Sequence, residues 1–370
     1  MQYNWQQSDW TKFSCDLSEV EDDLLRYLEK TAHLSGILKA LPEELKNEAV
    51  VDTMTAEAMK TSEIEDEYIS RADVKSSIRN QLGLNLVPEP VHDQRATGLG
   101  QLMAEVRNTF SEKLTEAHLF DWHKMLLSYR QDLSTIGNWR QHSEHTQIVS
   151  GALGKEKIHF EAPPSAMMPG MMAQFIHWFN EAMPEKGSGI KASPVRAAMA
   201  HVYFESIHPF EDGNGRIGRA IAEKALSQGL GAPVPFSLSR AIESSKKDYY
   251  QALEQAQKSN DLTRWMEYFI PTVLKAQETA AAEIDFILKK ARFFDRFREK
   301  LSERQLQVVR RMFDEGPSGF EGGMNARKYC GIAGTSKATA TRDLQYLHQI
   351  GALLLSGGGR STRYEVDLEG

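Results

Sequence analysis

Apolar residues recur at helical spacing along most of the chain. Val195, Met199, Val202, Tyr203 and Ile207 predict a helix over 194–207, and Pro209 forbids its regular continuation. A second helical pattern resumes after Gly215. Residues 1 to about 90 are helical in pattern, with Tyr3, Trp5, Trp10 and Phe13 as candidate core and a heptad-like run through Leu24, Leu25 and Leu28. The stretch 83–93, with Pro88 and Pro90, breaks that pattern and predicts a connection. Helical spacing then continues to about residue 275, interrupted where 147–150 and 158–160 flank a glycine-containing turn and predict a short hairpin. In the tail, 302–313, 325–331 and 336–351 predict three helices, the last with Thr335 and Ser336 as cap candidates. Two strands, 353–355 and 363–366, should follow around Gly357-Gly358-Gly359. The expected fold is mainly α: an N-terminal helical domain over 1–92, a central helical domain with its hairpin and a trailing linker helix over 93–299, and a winged helix-turn-helix over 300–370.

Between the helix predicted over 194–207 and the one that resumes after Gly215 lies His208-Pro209-Phe210-Glu211-Asp212-Gly213-Asn214-Gly215-Arg216-Ile217-Gly218-Arg219. Gly213 and Gly215 lack a Cβ, tolerate positive φ, and let successive amides at a helix N-terminus approach an anion. The side-chain amide of Asn214 can hold the loop. Arg216 and Arg219 are three apart, hence on one helix face, where two guanidinium forks can grip outer phosphates. Asp212 offers a hard carboxylate suited to Mg²⁺, and His208 can take a proton from a hydroxyl at neutral pH. Base, metal ligand, anion nest and arginines together describe phosphate-transfer chemistry. The same letters satisfy G-x-G-x-x-G through Gly213, Gly215 and Gly218. The dinucleotide fingerprint requires a preceding strand, however, and the lead-in here has helical spacing.

These twelve residues resemble the complete signature of the Fic family, His-Pro-Phe-x-(Asp/Glu)-Gly-Asn-Gly-Arg-x-x-Arg. The resemblance implies an enzyme that transfers AMP from ATP to a hydroxyl of a target protein and releases pyrophosphate. His208 would be the general base, Asp212 the magnesium ligand, Gly213 to Gly215 the phosphate nest, Arg216 and Arg219 the β- and γ-phosphate contacts, and Phe210 an anchor for the loop. It further implies that Gln147, Ile148, Val149 and Ser150 form a flap that pairs with the target segment, with Ile148 also at the nucleotide. Without the family, the same residues are simply a surface hairpin. Tyr249 and Tyr250 resemble the stretch lining an adenine pocket, against the alternative of an amphipathic helix burying Tyr250 and Leu253. Gln257 stands where relatives can carry an Asn at the nucleoside. Upstream, Thr61 and Glu65 match the Fic inhibitory motif Ser/Thr-x-x-x-Glu-Gly/Asn, with Asp66 departing at the last place. Glu65 would then pair with Arg219 and displace the γ-phosphate; in some relatives the same glutamate positions water for AMP removal. The alternative is local, since Ser62 and Glu65 also have capping-box spacing.

A net charge of −7 argues against bulk nucleic-acid or membrane attraction. No run approaches the length of a membrane span, and Cys15 and Cys330 fit a reducing compartment, so a cytoplasmic location is expected. His142 and His145 lack the partners of a metal site. Lys337, Thr339, Thr341 and Arg342 on the third tail helix, with Arg360 and Arg363 on the wing, can meet phosphates or bases, whereas Asp343 and Glu365 dilute that surface. DNA contact and protein contact both stay open. Self-modification and a homodimer are further expectations, and the competing function is a nucleotide-sensing DNA-binding regulator that binds ATP without transferring it.

Overall fold

The computed structural model describes residues 2–142, 146–150, 157–184, 191–317 and 319–368. It forms two compact units, Met1–Pro42 with Lys46–Glu278, and Thr279–Gly370 with the short piece Glu43–Leu45. No division falls near residue 92, because the N-terminal segment is part of the first unit's core. The second division falls at 278/279 rather than 299/300, since Phe293 and Phe297 are buried in the apolar cluster of the C-terminal unit.

The first twenty residues are not the helix their aromatics predict. They form short 3-10 turns joined by extended chain, in which polar side chains take up local backbone groups: Gln6 accepts from the Tyr3 N–H, and Asp16 from that of Ser18. This strap is fastened to the core by Asn4, which donates to Ser206 at 2.8 Å, and by Trp10 and Phe13, each edge-on to Tyr203 at 5.3 Å. Regular structure begins with α1 (Glu21–Ala40), where Leu24, Tyr27, Thr31 and Leu34 form the buried stripe while Leu25 and Leu28 are exposed. Then come α2 (Glu43–Ile64), α3 (Arg71–Gln81), α4 (Gln94–Asn108) and α5 (Glu116–Leu127). Strands β1 (Gln147–Ser150) and β2 (Lys157–Glu161) pair antiparallel, with Ile148 opposite Phe160 and a register shift between Ile148 and Val149. Next are α6 (Met168–Glu181), α7 (Ser193–Ile207), α8 (Asn214–Leu230), α9 (Leu238–Glu243), α10 (Lys246–Ala256) and α11 (Thr263–Phe297).

Helices α7 and α8 are the centre of the first unit. Helix α7 is buried almost all round, so it is a central helix. Close approach of α8 is set by Gly218, where a Cβ would stand 2.5 Å from Glu205 Oε1 and 3.2 Å from His201 Nδ1.

The C-terminal unit has the three helices and hairpin that its sequence predicts: α12 (Glu303–Phe313), α13 (Ala326–Ala333) and α14 (Lys337–Gln349), then β3 (Leu353–Ser356) paired antiparallel with β4 (Arg363–Val366). Ser302, Asn325 and Ser336 cap the three helices through their side chains. Asp343, expected on the surface, is instead buried. It accepts from Arg304 Nε and the Tyr329 hydroxyl, both at 2.8 Å, and from Gln305 at 3.2 Å.

Candidate active site

The loop between α7 and α8 is built by the residues that its sequence singles out. Pro209 ends α7, and His208 turns into the left-handed region at φ +50 with its N–H on the Phe204 carbonyl. Gly213 opens α8 at φ +81, the conformation that glycine adopts without strain. Asn214 is buried and stitches the loop by both ends of its amide, accepting from the Phe210 N–H and donating to the Phe210 carbonyl, each at 2.9 Å. Phe210 is fully buried and stacks on His123 at 4.1 Å. His123 in turn holds the loop, donating from Nε2 to the Asp212 carbonyl at 3.1 Å while Nδ1 accepts from the Gly137 N–H at 2.8 Å. Burial pushes its pKa down to about 4, which keeps that neutral tautomer.

Around the loop, Nδ1 of His208 faces the Glu205 carboxylate at 3.7 Å. Burial pushes the Glu205 acid upward, but the imidazoles of His208 and His201 and the Arg219 guanidinium outweigh it and hold the pKa below the usual range. Asp212 carries Arg130 at 2.7 Å and Arg216 at 3.3 Å.

Both arginines of the motif are buried and both meet the turn that follows α2. Arg219 donates to the Thr61 hydroxyl at 2.8 Å, to the Thr61 carbonyl at 2.9 Å and to Glu65 at 2.7 Å. Arg216 pairs with Glu67 at 2.7 Å. Burial alone would lower the pKa of Arg219, yet the Glu65 carboxylate outweighs this and raises it. The Glu65 carboxylate also stands directly over Gly215, where any Cβ would collide with it. A carboxylate just past the C-terminus of one helix is disfavoured by that helix's dipole, but it lies against the first turn of α8, where negative charge is favoured. The capping-box alternative does not hold, because residues 61–64 are the last turn of α2 and not the first of a new helix. Asp66 has φ +59, a left-handed position that glycine and asparagine fill readily and aspartate tolerates. This accounts for its departure from the expected Gly/Asn.

The expected nucleoside contacts diverge. Tyr249 is buried, with its hydroxyl on His201 at 2.8 Å, and Gln257 is buried and donates to the Glu205 carbonyl at 3.1 Å. Tyr250 is 41% exposed, and its hydroxyl donates to the Ile64 carbonyl at 2.9 Å. The packed face of α10 therefore carries Tyr249 and Leu253, not Tyr250 and Leu253. Gln147 of β1 donates to Glu161, and among the described residues only β2 pairs with β1. His145 lies outside the described residues, and these contain no cluster of three metal-ligating side chains.

His123, Arg130, Arg140, Glu205 and Glu67 were not singled out by sequence reasoning. His123 falls in the buried stripe of α5 with Leu119, Trp122 and Leu126, which reads as core. Glu67 lies beyond the inhibitory motif, and only its proximity to Arg216 marks it.

The first unit is thus a helical core in which a glycine-rich loop, with a histidine at its start, joins two central helices. Residues 113–226 match the Fic/DOC family. Residues 3–84 match a domain of unknown function, DUF4172. The chain is 38% identical over 97 residues to a Fido domain-containing protein of Dictyostelium discoideum, covering 24% of this chain and 64% of that one. It is 26% identical over 162 residues to the protein adenylyltransferase Fic of Nematostella vectensis, covering 43% and 33%. The chain thus spans less than two thirds of the length of these relatives. In fold it is similar to a Fic family protein from Desulfovibrio desulfuricans, at a TM-score of 0.50 and 19% identity, over 94% of this chain and 97% of that one.

Proposed function

We propose that the chain transfers AMP from ATP to a hydroxyl side chain of a target protein, and that Glu65 restrains it. The observation that carries this reading is an acidic side chain seated in a site built for anions, over Gly215 and on Arg219. Arg219 Nη1 has no partner among the described residues and lies 3.2 Å from where a Gly215 Cβ would stand, so a donor is left facing the nest. With Glu65 withdrawn, the amides at the start of α8 and both guanidinium groups would bind the phosphates.

The target hydroxyl oxygen would attack the α-phosphorus as the bond to the bridging oxygen of the β-phosphate breaks, releasing pyrophosphate. His208 would take the hydroxyl proton on Nε2, since Nδ1 faces Glu205. The side chain of Asp212 is 34% exposed beside the nest, a position that fits Mg²⁺ bound by one carboxylate together with phosphate oxygens and water. Bound there, Mg²⁺ would neutralise phosphate charge. ATP and Mg²⁺ are thus the implied substrate and ion. β1, whose other edge has no strand partner among the described residues, would align the target segment by strand addition. The C-terminal unit, with Lys337 and Arg342 exposed on α14, would supply partner contact.

Purified Glu65→Gly protein incubated with α-labelled ATP and Mg²⁺ should label itself or an added target at least tenfold faster than the parent. The label should vanish in Glu65→Gly/His208→Ala. Labelling that stays at the parent level, with ATP still bound, would support the nucleotide-sensing regulator instead.

A further inference from the structure

Arg140 is 1% exposed, and among the described residues no carboxylate is paired with it. Burial pushes its pKa down to about 10. A guanidinium in such a place must satisfy its donors on neutral oxygens, and this one does so on two segments at once. Its Nε donates to the His208 carbonyl at 2.8 Å, and its backbone N–H donates to the Pro209 carbonyl at 2.9 Å. On the other side, Nη1 donates to the Ser165 hydroxyl at 2.9 Å and Nη2 to the Pro163 carbonyl. Pro163 and Ser165 follow directly on β2, the strand that carries β1.

We infer that Arg140 is a positioning residue that fixes the distance between the flap and the imidazole of His208, and so between an acceptor hydroxyl and its base. The inference rests on the transfer reading given above. His208 sits at φ +50, a conformation that a non-glycine residue keeps only when its surroundings over-determine it. Its N–H is held by Phe204, while Arg140 binds its carbonyl and the next one. The peptide plane that follows the base is therefore clamped by the same side chain that clamps the exit of β2. Lysine could neither present the planar fork nor reach the three oxygens from one rigid group. Misplacing reacting groups by about 1 Å lowers rates on the order of a hundredfold.

In the Glu65→Gly background, Arg140→Lys should leave ATP affinity, read by calorimetry, within about threefold, while kcat for transfer falls on the order of a hundredfold. Transfer within threefold of the parent would overturn the inference, as would transfer and ATP affinity falling together, the mark of a merely structural role. A readout independent of transfer separates this from failure of the functional reading. Amide hydrogen exchange in Arg140→Lys should speed up together over 157–168 and over 204–212, and a change in one segment alone or in neither sinks the coupling even if no protein is labelled. Should Arg140→Lys not fold, Ser165→Ala removes only the flap-side hydroxyl. It should lower transfer about fivefold, or loosen both segments, with ATP affinity intact; no change in any of these overturns the inference.

Discussion

His123 has both ring nitrogens committed, one as donor to the Asp212 carbonyl and one as acceptor from Gly137, so a second proton would set N–H against N–H. Its pKa of about 4 in the fold lies below the ordinary value of 6.5. The unfolded chain binds the proton first, so stability from this group is full above pH 6.5, declines as pH falls toward 4, and is flat below. The loss amounts to about 3 kcal/mol. Denaturant titrations of the parent from pH 7 to 4 should show it, whereas His123→Gln, less stable throughout, should have a flatter profile over that window. At this scale sequence reading found the charged and glycine positions of the loop but not His123 or Arg140. Their roles depend on carbonyls of segments distant in sequence, Asp212 for one and His208 with Pro163 for the other.

One turn after α2 delivers two carboxylates to two arginines of α8, Glu65 to Arg219 and Glu67 to Arg216. Tyr250 of α10 holds the end of α2 through the Ile64 carbonyl, and Lys246 of the same helix pairs with Asp66 at 2.6 Å. Because Glu67 occupies a separate guanidinium, Glu67→Gln should raise ATP affinity by itself about tenfold, equivalent to about 1.4 kcal/mol. Combined with Glu65→Gly it should raise affinity further; calorimetry of the four proteins checks this, and no gain in the double variant over Glu65→Gly would contradict it. Element boundaries were legible where local chemistry sets them, as at Pro209, Ser302 and Ser336. The end of α2 was not, because Ser62 and Glu65 mimic a start signal and only the bonded last turn distinguishes the two.

Across the molecule, each unit has its own buried polar network. In the C-terminal unit Arg304, Gln305 and Tyr329 converge on Asp343. Asp343→Ala should destabilise that unit by about 2–3 kcal/mol, since it leaves buried donors unmet. Hydrogen exchange over 303–349 in the full chain should accelerate while exchange over 193–230 stays as in the parent. The helical class, the glycine-rich loop and the three-helix-plus-hairpin tail come from the order of residues, because spacing, caps and glycines act within a few positions of themselves, whereas Glu65 is a candidate only through its resemblance to the family's inhibitory motif. Tertiary structure alone decided that α7 is central, that Tyr249 and Gln257 are buried, that Asp343 leaves the surface, and that Glu67 and Arg140 reach the loop. Each of those outcomes depends on which distant oxygen or cation a side chain meets, a question of packing that no local pattern encodes.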